Sequence, residues 1–312
     1  MCKEVCAQKN TRNIKIHVIL KYTSYYYAFV RFPHTHTVGS FYIPVCYKYI
    51  MEAQIRNAKE FTSLLTTLSL FDATFNVECS TEGLYIFCLA GTKTSIATVR
   101  LSPNYFESYQ YRSDVPVIQL GISTSVILQI LRGTSSSDQV SLSVGDCASP
   151  DNVVVGIQRS DRHLSYTVKL LHITNEEKLE IPPMEPNVSI EVRSDMLKAF
   201  KKEITDCTGA SVVFTPTQTS MIVNSTGDNG SVKVTVPEGD KLRIILFANP
   251  LPMSLGSNTM NVISQLANLA TNVTLGWTNG TPAHFNVPLG DFDAGKLDIW
   301  FAPLLEDEVG AN

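Results

Sequence analysis

The sequence has no long run of apolar residues: its longest uninterrupted apolar stretch, LYIFCLA, has only seven positions, whereas a membrane-spanning helix needs about 20. Histidine is scarce, with six copies in 312 residues. No phosphate-binding loop, serine-hydrolase nucleophile motif or metal-ligand spacing accompanies the three histidines of the body. These absences predict a protein with no membrane segment, no enzymatic activity, no cofactor and no metal.

Cysteine occurs seven times, an odd number, and mostly at wide spacings. Closely paired cysteines would indicate the disulfide framework of a secreted protein or a zinc site. The observed spacing favours free thiols, buried in a protein of a reducing compartment. The N-terminus also lacks the apolar core of a secretion signal.

Acidic residues are almost missing from one part of the chain. Residues 1–50 hold seven of the 25 Lys and Arg residues and only one of the 29 Asp and Glu residues, Glu4. The rest of the chain therefore has a formal charge of −10, although the whole chain has only −4. An acidic body is not typical of a protein that holds nucleic acid by charge.

Residues 1–50 are also rich in tyrosine and phenylalanine, which sets them apart from the body. His34, His36 and Cys46 offer three metal ligands but no fourth. Bases among aromatics are also typical of single-stranded nucleic-acid contacts. The third interpretation is a loosely folded extension, or an upstream segment outside the native protein with Met51 as the true start.

From Met51 onward the sequence repeats one plan four times: a strand, an amphipathic helix and three strands. The helices are predicted in KEFTSLLTTLSLF, SVILQILR, DMLKAFKKEI and NTMNVISQLANLA. Ser123 or Ser125 is expected to cap the second helix, and Ser194 or Asp195 the third. The units form two similar α+β domains, 51–170 and 188–305, joined by a proline-containing loop, 171–187, and followed by an acidic tail, 306–312.

The polar faces of the predicted helices nearly avoid acid. If all four faces met in one place, that place would be neutral to basic while the outside stayed acidic. The residues on these faces are Lys59, Thr62, Ser63, Thr66, Thr67, Gln129, Arg132, Lys198, Lys201, Lys202, Asn261, Gln265 and Asn268.

The closing segment DIWFAPLLEDE has an aromatic residue on an unexpected face. Side chains alternate along a strand, so Leu297, Ile299 and Phe301 share the inward face. Asp298 and Trp300 then point outward. One of only two tryptophans is thus predicted on the surface, which indicates a binding role for it.

The body resembles the sliding clamps of the proliferating cell nuclear antigen family over nearly all of residues 51–308. The pieces that carry the resemblance, in family order, are SLLTTLSLFDATFNVECSTEGLYIFCLAGTKTSIATVRL, YFESYQYRSDVPVIQLGIS, ILRGTSSSDQVSLSV, LEIPPMEPNVSIEV, TGASVVFTPTQTSMIVNSTGDNGSVKVTV and LDIWFAPLLEDE. The resemblance implies a clamp fold of two similar domains, each with two helices packed on antiparallel sheets.

The resemblance further implies a homotrimeric ring that encircles duplex DNA without sequence preference and tethers DNA polymerase and other replication and repair proteins. A clamp loader is an implied partner, and the nucleus or a viral replication compartment the implied location. A closed ring holds DNA by topology, so the acidic body is no obstacle. The DNA-facing bases would be Lys198, Lys201, Lys202, Arg132 and Lys59, because the first and fourth helices carry fewer bases than is usual in the family.

The family's partners insert a short helical turn with one aliphatic and two aromatic anchors into a hydrophobic pocket under the interdomain loop. The matching positions here are Leu89, Ile96, Leu179, Ile181, Pro182, Pro282, Trp300, Ala302 and Pro303. Subunit contacts in the family pair the edges LSYTVKLL and GSVKVTV, with Tyr166, Val168, Val232 and Val234 at the interface.

Two other assignments stay open. A subunit of a heterotrimeric checkpoint-type clamp would have the same fold. A secreted β-rich binding module is the more remote alternative, raised by five glycosylation sequons, which begin at Asn187, Asn224, Asn229, Asn272 and Asn279.

Overall fold

The chain folds into two units, which the computed structural model describes at residues 15–20, 26–31, 49–135, 137–145, 150–174, 185–205, 209–292 and 294–304. In the first unit, Met1–Lys48, strands β1 (Lys15–Leu20) and β2 (Tyr26–Arg31) pair antiparallel. Whether the rest of this extension is loosely folded, or belongs to the native protein, stays a prediction. His34, His36 and Cys46 lie outside the described residues.

The second unit begins at Tyr49, and the described part of its first half contains nine strands and two helices. The strands are β3 (Tyr49–Ile55), β4 (Thr74–Ser80), β5 (Gly83–Leu89), β6 (Ser95–Leu101), β7 (Phe106–Tyr111), β8 (Val117–Ser123), β9 (Gln139–Gly145), β10 (Asn152–Gln158) and β11 (His163–Lys169). The helices are α1 (Ala58–Leu68) and α2 (Thr124–Leu131), and a 3₁₀ turn covers Pro103–Tyr105. Because β3 starts at Tyr49 and Ile50 is buried, the regular structure begins before Met51.

The described part of the second half repeats the same order of elements. Its strands are β12 (Val188–Arg193), β13 (Ser211–Pro216), β14 (Ser220–Gly227), β15 (Gly230–Pro237), β16 (Leu242–Phe247), β17 (Met253–Gly256), β18 (Asn272–Trp277), β19 (Ala283–Leu289) and β20 (Gly295–Phe301). Its helices are α3 (Ser194–Ile204) and α4 (Thr259–Gln265), followed by a 3₁₀ turn at Leu266–Asn268. The predicted α+β class is confirmed, but each half has one strand more than the sequence indicated, β7 or β17.

The helices form where the sequence places apolar stripes and caps. In α1, Phe61, Leu64, Leu65 and Leu68 are all buried, and the Asn57 side chain accepts a hydrogen bond from the backbone N–H of Glu60. In α3 neither predicted cap is right, because the helix already includes Ser194 and Asp195, and its N-cap is Arg193. Asp195 instead pairs with the Arg193 guanidinium, at 2.6 Å.

Ser123 is the N-cap of α2, but it makes no side-chain capping bond. Its hydroxyl lies 3.0 Å from that of Ser125, so the two candidate caps contact each other. The position of the cap was therefore predictable, while its bonding was not.

A nine-stranded sheet joins the two halves. Its order is β16-β12-β18-β19-β20-β6-β5-β4-β8, so the junction between the halves is the antiparallel pair β20·β6. This pair runs in continuous register from Gly295 opposite Leu101 to Phe301 opposite Ser95. The inward side chains at the junction, including Ala97 and Ile299, are completely buried.

Two smaller sheets complete the unit. One has five strands in the order β11-β10-β9-β3-β7, and the other has four strands in the order β15-β14-β13-β17. Strands β11 and β15 each stand at the edge of their sheet and are paired on one side among the described strands. A further strand could therefore pair with β11 or with β15, which are end strands of the small sheets, as β7 and β17 are at the opposite ends.

The four helices form one continuous layer. Helix α1 contacts α2, α3 contacts α4, and α1 also contacts α4, which gives the spatial order α2-α1-α4-α3. Whether the polar faces of all four helices point to one place stays a prediction. Among the described residues, no helix is long and apolar enough to cross a membrane.

Candidate functional site

Four side chains from four neighbouring strands form a row across the outer face of the nine-stranded sheet. Leu89 of β5 lies opposite Ile96 of β6, Ile96 opposite Trp300 of β20, and Trp300 opposite His284 of β19. All four are half-buried, while the residues on either side of each in its strand are mostly buried in the core. Neighbouring strands lie about 4.8 Å apart, so this partner row, as we call it, extends about 15 Å.

The sequence placed Trp300 on the outward face, and this parity is confirmed. Leu297, Ile299 and Phe301 are at most 1% exposed, whereas Trp300 is only half-buried. The indole of Trp300 is stacked on the imidazole of His284, with ring centroids 4.9 Å apart and ring planes 14° apart. The stack covers one face of the tryptophan within the described part of the subunit and holds its orientation.

Asp298 has the same parity as Trp300 but is nearly buried, at 5% exposure. Its carboxylate accepts hydrogen bonds from His284 Nε2 at 2.9 Å, Asn286 Nδ2 at 2.7 Å and Lys296 Nζ at 3.1 Å. Burial alone raises the pKa of Asp298, but the bonds from His284, Asn286 and Lys296 outweigh it and hold this pKa at about 2. Asp298 is therefore a carboxylate at neutral pH and links strand β19 to the outer face of β20.

The first residues of the interdomain loop are fastened beside the Leu89 end of the row. Leu171 donates a backbone hydrogen bond to Gly121 of β8 at 2.8 Å, and the Asn76 side chain donates to the carbonyl of Ile173 at 3.3 Å. A Cβ at position 121 would lie 2.1 Å from the Leu171 carbonyl oxygen, so the loop can approach only because this residue is glycine.

A cavity of about 270 Å³ opens between this loop segment and strands β4 and β5. Its lining combines acidic, aromatic and aliphatic side chains, and Leu89 belongs to both the cavity and the partner row. The remaining lining residues are Asp72, Thr74, Phe75, Asn76, Glu78, Tyr85, Phe87, Cys88, Ile173 and Thr174.

The other predicted partner-binding residues divide into two groups. Pro282 precedes β19, and Ala302 and Pro303 follow β20, at the end of the sheet where Ala283 pairs with Phe301. Ala302 is exposed, and its backbone N–H donates to Thr94 at 2.8 Å. Leu179, Ile181 and Pro182 lie outside the described residues, so their role stays a prediction.

The predicted DNA-binding bases lie on or next to the helix layer. Lys59 of α1 and Lys198 and Lys202 of α3 are exposed, and Lys201 is half-buried. Arg132 is exposed too, but it follows the last residue of α2. Lys198 donates to the Asn268 side chain at 2.8 Å, which connects α3 to the turn after α4.

The hydroxyl side chains of α1 bring no charge to the helix layer. Thr62 and Thr66 donate hydrogen bonds to backbone carbonyls four residues earlier in their own helix, at 2.7 and 2.8 Å. Thr67, predicted on the polar face, is instead completely buried and donates to the Ser63 carbonyl. A threonine hydroxyl can donate a hydrogen bond to a carbonyl of its own helix, so a threonine can be buried in the core. The prediction that Thr67 lies on the polar face is therefore wrong.

The predicted subunit-contact residues occupy the edge strands β11 and β15. Tyr166 is 39% exposed, and Val232 and Val234 are half-buried. Val168 is 7% exposed and packs into the core of this chain. Whether these residues contact another chain stays a prediction.

Sequence reasoning missed His284 and Asn286 as components of the site. Their parity was available, because they alternate with Phe285 and Val287, which are completely buried. The strand β19 was predicted, but the register that places His284 beside Trp300 required the structure.

Cys79 and Cys88 are buried free thiols, and burial raises the pKa of each. A thiol that stays protonated is a poor nucleophile and metal ligand. Within the described ranges, no group of three His, Cys, Asp or Glu residues could hold a metal ion.

Known proteins that are similar in sequence include a proliferating cell nuclear antigen and a DNA polymerase sliding clamp. A family model described as "Proliferating cell nuclear antigen, N-terminal domain" matches residues 50–178. The protein named proliferating cell nuclear antigen from Dictyostelium discoideum is 22% identical over 82% of this chain and 100% of its own length. DNA polymerase sliding clamp 1 from Pyrobaculum aerophilum is 21% identical over 80% of this chain and 96% of its own.

The fold also matches a solved structure. The crystal structure of proliferating cellular nuclear antigen from Entamoeba histolytica has a TM-score of 0.75 and 19% sequence identity, and the match covers 82% of this chain and all of that one. The alignment therefore leaves room for a segment of this chain without a counterpart, and the family model begins at residue 50, after the first unit.

Proposed function

We propose that the chain is a sliding clamp of the proliferating cell nuclear antigen family, which its sequence similarities support, and that three copies close into a ring around duplex DNA. The ring acts as a processivity factor: it tethers DNA polymerase and other replication and repair proteins. It is a scaffold without enzymatic activity of its own. It acts where DNA is replicated, in a nucleus or a viral replication compartment, after a clamp loader has opened it.

The sheet topology is the main observation that supports a ring of several copies. The nine-stranded sheet joins five strands of the second half to four strands of the first half at β20·β6. The two small sheets contain the corresponding five strands of the first half and four strands of the second half. Pairing of β11 in one copy with β15 in the next copy would form a second nine-stranded sheet of the same plan.

The side chains at these edges support the same pairing. Inward residues at the internal junction, Ala97 and Ile299, are completely buried. At the open edges, Tyr166 is 39% exposed and Val234 is half-buried. A neighbouring strand would bury these apolar surfaces, and because the two edges differ, copies would join head to tail and close as a ring.

The helix layer supports the DNA-facing assignment. Its cations are concentrated on α3, whereas the face of α1 is mostly hydroxyl. Such a surface binds phosphate weakly, which suits a ring that retains DNA by enclosing it and must still slide. The acidic net charge of the body then no longer argues against a DNA partner.

The partner row supports the tethering role. It is an apolar surface with an aromatic end, adjacent to a loop that can cover part of it. A short helix of a partner could place one aliphatic and two aromatic anchors on such a surface. Leu89, Ile96 and Trp300 would contact these anchors, with Pro282, Ala302 and Pro303 beside them, and with Leu179, Ile181 and Pro182 contributed by the loop.

Retention on DNA tests the encirclement directly. The clamp is loaded onto nicked circular DNA by a clamp loader, and the DNA is then cut once. We expect the protein to remain on the circle through gel filtration in moderate salt and to leave after linearisation, because a ring slides off a free end. Retention on the linear product would contradict encirclement and indicate direct binding.

Removal of the α3 cations tests how the ring contacts DNA. Alanine at Lys198, Lys201 and Lys202 should reduce binding to linear duplex at low salt by about ten-fold or more, and flatten its salt dependence, because three phosphate contacts are lost per subunit. Retention on closed circles should stay unchanged. Equilibrium binding at several salt concentrations and the circle assay measure the two effects.

A variant with alanine at Lys93, Arg162 and Lys241 serves as the control, because these exposed cations lie outside the helices. It loses the same charge, so an equal loss of linear-DNA binding in both variants would show that net charge matters and the helix layer does not.

A further inference from the structure

His284 is the member of the partner row that carries a hydrogen-bonding ring. Its side chain is 36% exposed, and the ring lies flat against Trp300. The imidazole and the indole therefore form one continuous wall at the end of the row. A partner that contacts Trp300 would therefore also contact His284.

Asp298 fixes the tautomer of this histidine. The carboxylate can only accept hydrogen bonds, and His284 Nε2 lies 2.9 Å from its Oδ1. Asn286 and Lys296 supply its other donors. Nε2 must therefore carry a proton, and neutral His284 keeps its lone pair on Nδ1. In the part of the chain that the structure describes, no group is hydrogen-bonded to Nδ1.

We propose that His284 determines specificity at the partner row: its Nδ1 accepts a hydrogen bond from a donor group of the bound partner, and Asp298 is the positioning residue that fixes the ring. This inference rests on the proposed partner-binding function. The partner class it names is a short helical segment that places an N–H or O–H donor next to the anchor on Trp300. A segment with only apolar groups there would leave Nδ1 without a partner and would bind more weakly.

The test uses the full chain and a fluorescein-labelled synthetic peptide that has one aliphatic and two aromatic anchors on one helical turn, with a hydroxyl donor beside the anchor for Trp300. Fluorescence anisotropy gives its affinity. His284→Phe keeps an aromatic ring for the stack but has no Nδ1. It should bind the peptide about five-fold more weakly than wild type, the size of one lost hydrogen bond.

Asp298→Asn tests the positioning role with a readout that general destabilisation would not produce. The asparagine amide can donate to Nε2, which allows the ring to take the other tautomer with its proton on Nδ1. Ring nitrogen shifts measured by NMR should report an Nε2-bound proton in the wild type and its loss in this variant. Peptide affinity at about pH 8 should fall to that of His284→Phe.

The outcomes distinguish a wrong role for His284 from a wrong assignment of the whole partner row. A His284→Phe variant that binds the peptide as tightly as wild type would overturn the role of His284. If the peptide does not bind at all, or if Trp300→Ala binds it normally, the partner row itself is wrong. A melting temperature close to wild type for His284→Phe establishes that its fold is intact.

Discussion

Arginine at both Tyr166 and Val234 should convert the ring into single subunits. The two residues stand on the edge strands β11 and β15, and in the proposed ring they become buried between neighbouring copies. An unpaired charge costs several kcal/mol when it is buried. Each of the three equivalent interfaces would receive two such charges. Size measurement by light scattering should change from three times 34.4 kDa to 34.4 kDa.

The matched control is Thr167→Arg. Thr167 is an exposed neighbour of Tyr166 on the same strand with the opposite parity, so its side chain stays in solvent after pairing. This variant should remain a trimer. A wild-type chain that is monomeric when purified alone would contradict the homotrimer and favour the heterotrimeric alternative, since such a subunit needs different partners to close a ring.

Loss of the ring should also remove retention on DNA. The helix layer has too few cations to hold duplex at moderate salt without enclosure, so the arginine variant should leave closed circles as readily as linear DNA. Retention by a proven monomer would show that the ring is not the source of DNA binding.

Much of this fold could be predicted from the sequence because its signals are local. The apolar stripe of α1 and the alternation in β20 each follow from residues a few positions apart, and both are confirmed. Strands β7 and β17 were missed for a local reason as well. Strand β7 alternates weakly, since Glu107, Ser108 and Gln110 are all exposed, and β17 is only four residues long.

The set of residues that form the candidate site could not be predicted from local patterns, because it depends on which strands are neighbours in the sheet. Parity places Trp300 on the surface of β20, but it does not say which strands lie beside β20. The register of β19·β20·β6 aligns His284, Trp300 and Ile96, which are far apart in sequence. The same register places His284 and Asn286 beside Asp298, and Lys296 of the same strand adds a third donor, so an outward carboxylate becomes nearly buried. Pairing over such distances is not encoded in any short segment.

The two tryptophans of the chain should respond to truncation in opposite ways, and this contrast tests the partner row most directly. Trp277 is 3% exposed, and its indole N–H donates to the Leu251 carbonyl at 2.9 Å. Trp277→Ala should therefore destabilise the fold by about 3–5 kcal/mol. Trp300 lies outside this core, so Trp300→Ala should leave the melting temperature and the trimer nearly unchanged.

Peptide binding should show the reverse order. Trp300 has the largest side chain of the partner row and lies at its aromatic end, which is the position of an interface anchor. Its truncation should weaken the anchor peptide by about 2 kcal/mol, or roughly 30-fold in Kd. Phe292→Ala is the control, because Phe292 is a fully exposed aromatic on the turn at the other end of β19·β20. If Trp300→Ala instead lowered the melting temperature as much as Trp277→Ala does, the indole would belong to the core. The row would then have no aromatic end for a partner to recognise.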